Sequence, residues 1–337
     1  MKKNINALIV VTIVLIIAAI VALIHGQYEI GLKDIWKIIL LKFSGSSNEE
    51  LSTPSLVLWS VRLPRVIMAI LAGSALSVAG AVFQGIMRNP LVSPSILGVS
   101  SGASFGAAMA IFLSARTAFL VELSALFWGL LAVIIAYKIG NRGINSITTL
   151  VLAGVIVSAI FSAGLSFMMY QADPYEQLPA IVFWTMGGFN KILWANVFRA
   201  FIIISIGIIV IYVFRWRLNL LATGDEEAMS MGVNIKTARA LYVTFATVIV
   251  AAATASCGTI GWVGLVVPHM SRMIVGPDHE ILIPFSALLG GTFMLLMDTI
   301  VRNLPGGEIP ISIITSFLGA PFLAYLLMRQ NRQEWKM

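Results

Sequence analysis

Residues 5–24 read INALIVVTIVLIIAAIVALI, twenty positions without a charge. A helix needs roughly 20 mostly apolar residues to cross about 30 Å of hydrocarbon, and this stretch meets that length at once. Lys2 and Lys3 precede it, as they would precede a secretory leader. The apolar run is long for a leader, however, and no small-x-small cleavage site closes it. We read it as a retained first span.

The rest of the chain follows the same solvent. Of 337 residues, 59% are hydrophobic and 11% are charged, with a mean hydropathy of +0.95. A water-soluble domain carries about a quarter charged residues because its surface must face water. Too few charges are present here to cover one. The net charge of +7 fits the lysine and arginine excess of cytoplasmic loops, and no basic stripe interleaved with aromatics suggests a nucleic-acid partner. Cys257 has no second cysteine with which to pair. His25, His269 and His279 are separated by span ends and loops, which argues against a shared metal site.

Further spans are predicted at 66–87, 96–113, 118–139, 147–170, 194–214, 238–257, 260–273, 282–300 and 311–328, with Pro268 interrupting the eighth. The expected fold is therefore an all-α polytopic membrane protein of about ten transmembrane helices. Ten spans put both termini on one side. With Lys2 and Lys3 inside, the inner loops collect more lysine and arginine than the outer ones, so both termini are expected in the cytoplasm. Several outer arginines stand directly at span ends and ask for an explanation. Residues 27–60 read as an external loop with one short helix near 32–43. Pro174 and Pro179 flank a segment too short to cross, expected as an external or re-entrant piece ending at Met186-Gly187-Gly188.

Small residues recur every fourth position. Ala69, Gly73, Ser77, Ala81 and Gly85 do so in the second span, Gly98, Gly102, Gly106 and Ala110 in the third, and Gly154, Ser158, Ser162 and Ser166 in the fifth. Such ridges let backbones approach closely. Ser158, Ser162 and Ser166 are also candidates to line a polar translocation path.

Ion-coupled transporters keep ionisable residues near mid-membrane, where charge is costly without use. The span centres here are nearly free of them; Asp298 and Glu122 lie towards span ends. There is also no GxxxxGK[ST] phosphate loop. Any ATP that drives the chain must be bound by another one, which needs a cytoplasmic handle. Residues 220–235, LLATGDEEAMSMGVNI, offer one. Thr223 and Glu226 have capping-box spacing, Asp225, Glu226 and Glu227 suit a first helical turn, and Gly232 suits a left-handed stop. A solvated connector would fit the same residues.

The chain resembles the FecCD-type permease family, the membrane subunits of importers for ferric siderophores, heme and cobalamin. The matching stretches are VRLPR at 61–65, QGIMRNPLVSPSILGVSSG at 84–102, LAGV at 152–155 and WTMGGF at 184–189. GDEEAMSMGV at 224–233, GTIGWVGLVVPHMSRM at 258–273 and LGAP at 318–321 complete the series. The resemblance implies the type II ABC importer permease fold in the cell membrane, paired with a second permease subunit, either an identical copy or a paralogue. It implies two ATPase subunits that bind ATP and Mg²⁺, so that this chain carries no cofactor and no catalytic residue. It also implies an extracytoplasmic substrate-binding protein, docked by Arg62, Arg65 and Arg302. The family's coupling helix falls on Gly224, Asp225, Glu226, Glu227, Met229 and Gly232, and its cytoplasmic gate on Ser146, Ile147 and Thr148. The expected cargo is an iron complex, foremost a ferric siderophore, with heme or cobalamin as alternatives. A secondary transporter acting alone is the competing reading from another class.

Overall fold

The computed structural model describes residues 2–44, 51–113, 117–140, 147–304 and 308–334. These residues form helices with no strand among them. In chain order they are α1 (Lys2–Ile24), α2 (Leu32–Ser44), α3 (Ser52–Leu56), α4 (Leu63–Ile86), α5 (Val99–Phe112), α6 (Ala118–Gly140), α7 (Ile147–Gln171), α8 (Gln177–Met186) and α9 (Trp194–Phe214). Then follow α10 (Trp216–Thr223), α11 (Asp225–Ser230), α12 (Ile235–Cys257), α13 (Val263–Val275), α14 (His279–Asn303) and α15 (Ile311–Glu334). Among the described residues, seven helical stretches are long and apolar enough to cross a membrane, and α5, α8, α13 and the first part of α15 are shorter apolar helices. The chain is a multi-pass membrane protein.

The second span begins well before its expected start. Helix α3 runs through a wide π-turn, Val57–Arg62, into α4, so one apolar helix extends from Ser52 to Ile86. Pro64 cannot donate to the backbone of the preceding turn, and the widened turn lies where that donor is missing. The stretch expected as an external loop over residues 27–60 is therefore helical at Leu32–Ser44 and again from Ser52 onward, and Arg62 and Arg65 lie within a helix instead of before it.

Helix α4 is almost wholly buried, packed against α14, α12, α13 and α9. The small-residue ridges explain how. A Cβ on Gly73 would overlap the carbonyl oxygen of Gly290, and one on Gly80 would overlap that of Gly264. Hydrocarbon supplies no hydrophobic drive between helices, so close backbone approach takes its place. Gly102 and Gly106 do the same for α5 against α6, where an added Cβ would stand 2.5 Å from the carbonyl oxygens of Trp128 and Ser124.

Two expectations change. Pro268 does not interrupt α13, which runs through it. The ring leaves the Gly264 carbonyl without its intrahelical donor. It is that carbonyl which lies against Gly80. The ridge on α7 also fails to stay on one face. Gly154 is buried against Ile96 and Leu97, and Ser158 is half-buried beside Gly98, but Ser162 and Ser166 are exposed. A spacing of four overshoots the helical repeat by about 40° per step, so three steps turn the stripe by about 120°.

Three helix ends meet in one knot. The Gly188 N–H donates to Cys257 O at the end of α12, the Ile311 N–H to Gly187 O, and the Ser312 hydroxyl to Met186 O. This junction ends α8 at Met186-Gly187-Gly188, as read from the sequence, and fixes the start of α15 against it.

Candidate functional site

The side chains of interest gather at the two ends of the bundle. At one end stands a cluster of arginines and carboxylates drawn from α1, α4, α14 and residue 308. The Arg65 guanidinium donates from Nε and Nη2 to the Asp298 carboxylate at 2.8–3.0 Å, and from Nη1 to Glu308 Oε1 at 2.7 Å. Arg62 donates to the carbonyls of Leu23, Ile24 and Tyr28, and Arg302 donates to Ala22 O at 2.6 Å. The last carbonyls of α1 lack partners within their own helix, and these cations, drawn from two other helices, satisfy them.

Reading the three arginines as a docking set pictured exposed cations. They are not exposed: Arg62, Arg65 and Arg302 retain 3%, 5% and 5% of their accessible surface. The reason is the early start of the second span, which carries Arg62 and Arg65 into the helical packing. Sequence reading also missed their partners. Asp298 and Arg302 lie four residues apart on α14, one turn of the same face. That spacing sets Asp298 near Arg302, but its hydrogen bonds come from Arg65 on α4.

A second polar cluster lies on α6, α9 and α12. Glu122 accepts hydrogen bonds from Asn196 at 3.0 Å and Ser256 at 2.8 Å, and pairs with Arg199. Glu122 and Asp298, the two carboxylates noted near span ends, are thus both held by internal partners.

At the opposite end, α11 projects from the bundle. Its expected capping box does not form: Thr223 ends α10 and donates to Leu220 O, while Gly224, at φ 142°, precedes the first turn. The helix spans six residues, shorter than the expected 223–232. Gly232, at φ 82°, ends the segment, with Val233 N–H reaching back to Ala228 O and Gly232 N–H to Met229 O. Ala228 is buried, whereas Glu226, Glu227, Met229 and Met231 face outward. Asp225 anchors the segment. It pairs with Arg239 of α12 at 3.0 Å and with Arg88, just past α4, at 3.5 Å. Arg88 itself sits at φ 50° in the turn before Pro90.

Among the described residues, a cavity of about 650 Å³ separates this segment from the start of α7. Asp225, Met229 and Gly232 line one side, and Ile147 and Leu150 the other. Ile147 and Thr148 begin α7, Thr148 being exposed. Ser146, the third residue of the expected gate, lies outside the described residues.

Comparison with known proteins places this arrangement. The FecCD transport family matches residues 14–329. The chain belongs to this family. The molybdate import system permease protein MolB of Haemophilus influenzae is 39% identical over 324 residues, covering 95% of each chain. A permease protein of Helicobacter pylori named for iron chelatin transport is 38% identical over 316 residues, 93% of this chain and 95% of that one. A solved ABC transporter chain of metal-chelate type, in an inward-facing conformation, superposes with a TM-score of 0.87 at 36% identity. That match covers 96% of this chain and 99% of the other. This FecCD chain is an ABC importer permease, and the two polar ends described above are its features.

Proposed function

We propose that the chain is the permease subunit of an importer that carries an iron complex, foremost a ferric siderophore, across the cytoplasmic membrane by alternating access. ATP hydrolysis on separate ATPase subunits drives it, two of them acting on a pair of permease subunits. The observation that carries this reading is α11, an outward-facing helix with acidic and methionine side chains, anchored by Asp225 to α12 and to the end of α4. A push on α11 reaches the buried central helix through Arg88 and the start of α12 through Arg239. Movement there changes the cavity between α11 and Ile147, where the gate would close.

On this reading α5, α13 and α15 join the seven long apolar helices as ten crossings with both termini in the cytoplasm, and α8, ten residues long, does not cross. An extracytoplasmic binding protein would meet the end bearing Arg62, Arg65 and Arg302. Because all three are already bonded, docking through Arg62 or Arg302 requires acidic side chains of the partner to exchange with backbone carbonyls, whereas docking through Arg65 would have to displace Asp298 or Glu308. Arg62 and Arg302 are the two suited to that exchange, since they hold carbonyls and no carboxylate. Ser162 and Ser166, exposed on α7, belong to the path; Ser158 packs.

The iron-chelate reading rests on the Helicobacter relative and the metal-chelate structure, and the Haemophilus relative favours molybdate as a second cargo. Reconstitution of the permease with its ATPase and binding protein tests both. Uptake of radioactive iron as a siderophore complex, with molybdate ignored, supports the first reading; the reverse supports the second. Uptake by the permease alone, with no ATPase, overturns the subunit reading.

A further inference from the structure

We infer that α2 is a membrane-surface anchor, lying flat in the outer leaflet with lipid headgroups as its partner. Leu32, Trp36 and Leu40 follow one another at a spacing of four and keep 62%, 64% and 51% of their surface exposed. They make one apolar stripe along the whole helix, so whatever covers it must meet α2 side-on. The opposite face is already used: Ile38 is buried with Ile30 and Leu58, and Ile35, Leu23, Val57 and Trp59 pack around them.

The surroundings identify the occupant. Leu23 belongs to this small core and stands at the end of α1, so α2 lies where the first apolar span stops. The outer surface of α1 is a band of exposed Ile9, Ile13, Ile16, Ile17 and Ile20, an apolar face suited to hydrocarbon. Leu56 and Val61 continue the exposed apolar surface beside it. The α2 stripe thus extends an apolar exterior at its water-facing edge.

Its chemistry suits that depth. Lys33 and Lys37, both exposed, flank the stripe one position round the helix from Leu32 and Trp36. Tryptophan favours the headgroup level, and lysines bordering an apolar face reach outward to lipid phosphates. A protein partner would have to seat the apolar stripe at the level of the headgroups, in competition with lipid. Seating α2 in lipid also fixes the segment before it, whose Tyr28 carbonyl holds Arg62. The anchor therefore positions Arg62.

The test uses the full chain in lipid nanodiscs, with Cys257→Ala as background and nitroxide labels on Leu32→Cys, Trp36→Cys, Leu40→Cys, Lys33→Cys and Lys37→Cys. Labels at 32, 36 and 40 should relax more with dissolved oxygen than with a water-soluble nickel chelate, and labels at 33 and 37 should show the lower ratio of headgroup depth. A second measurement avoids the labels: Trp36→Phe in the otherwise unaltered chain should lose part of the tryptophan quenching by lipids brominated near the headgroup. Labels at 32, 36 and 40 that favour the nickel chelate, or that are shielded from both reagents as under a protein partner, overturn the inference. So does quenching that Trp36→Phe leaves unchanged.

Discussion

Arg65 grips both oxygens of Asp298 at 2.8–3.0 Å, in a place where the carboxylate keeps no accessible surface. The pair joins α4 to α14, the two helices that also interlock through Gly73 and Gly290. Arg65 bonds the Asp298 carboxylate from two nitrogens and keeps only Glu308 when Asp298 is lost. Removing one side of a buried pair costs about 3–5 kcal/mol when the remaining charge has neither water nor partner, and somewhat less where, as here, a second carboxylate remains. Asp298→Asn should therefore lower the unfolding temperature in detergent sharply. Glu308→Gln should cost less, since Glu308 stays partly open to solvent. A thermal melt followed by size-exclusion chromatography checks the ranking, and equal melting of the two variants would contradict it.

Arg62 offers a cleaner probe of docking than Arg65. Placing a glutamate at 65 would set it beside Asp298 and damage the fold, so loss of uptake there says nothing about a partner. Arg62→Gln retains a donor for the α1 carbonyls. We expect insertion and melting close to wild type, slower association with the binding protein, and a weaker dependence of that association on salt. Surface plasmon resonance at two ionic strengths measures it.

On α11, exposure separates anchoring from coupling. Asp225 pairs at a half-exposed site, so Asp225→Asn should change stability by only about 1 kcal/mol or less. Substrate-stimulated ATP hydrolysis should nonetheless fall, since α11 is no longer tied to Arg239 and Arg88. Glu226→Arg with Glu227→Arg leaves those ties and should abolish ATPase association. Normal stimulated hydrolysis in the double variant would remove α11 from the coupling role.

Glycine contacts make a stability prediction with an internal control. Gly80→Ala forces a methyl against the Gly264 carbonyl and should destabilise by about 1–3 kcal/mol. Gly261→Ala meets nothing within 4 Å and should fall within about 0.5 kcal/mol of wild type. Equal effects would mean that the α4–α13 approach is looser than described.

Along α7, Ser158→Trp should impair folding because it meets Gly98, whereas Ser162→Trp should fold and block uptake. Uptake that survives Ser162→Trp would take this face out of the path.

Much of the fold was legible because hydrocarbon imposes length and monotony on a span. Residues 194–214 match α9 to the residue, and α6 and α7 differ by one position at one end. Where the sequence misled, a local device had hidden the helix. Ser52, Thr53, Pro54 and Pro64 look like loop chemistry, yet a proline is harmless in a first turn, and a π-turn accommodates another. Pairing was less legible than position. Nothing in the linear order says that Asp298 meets Arg65, 233 residues away, or that Asp225 meets Arg239. The Thr223 cap failed because Gly224, at a φ only glycine adopts readily, separates α10 from α11 and ends the first helix at Thr223.

The grip of Arg62 and Arg302 on the end of α1 makes the first hydrophobic segment irreplaceable in a specific sense. Were a peptidase to remove it as though it were an export leader, the carbonyls of Ala22, Leu23 and Ile24 would leave with it. Two cations in the packed interior would then have lost acceptors, Arg62 keeping the Tyr28 carbonyl alone of its three. The damage would show at the new terminus itself, because Gly26 lies against the Arg62 guanidinium.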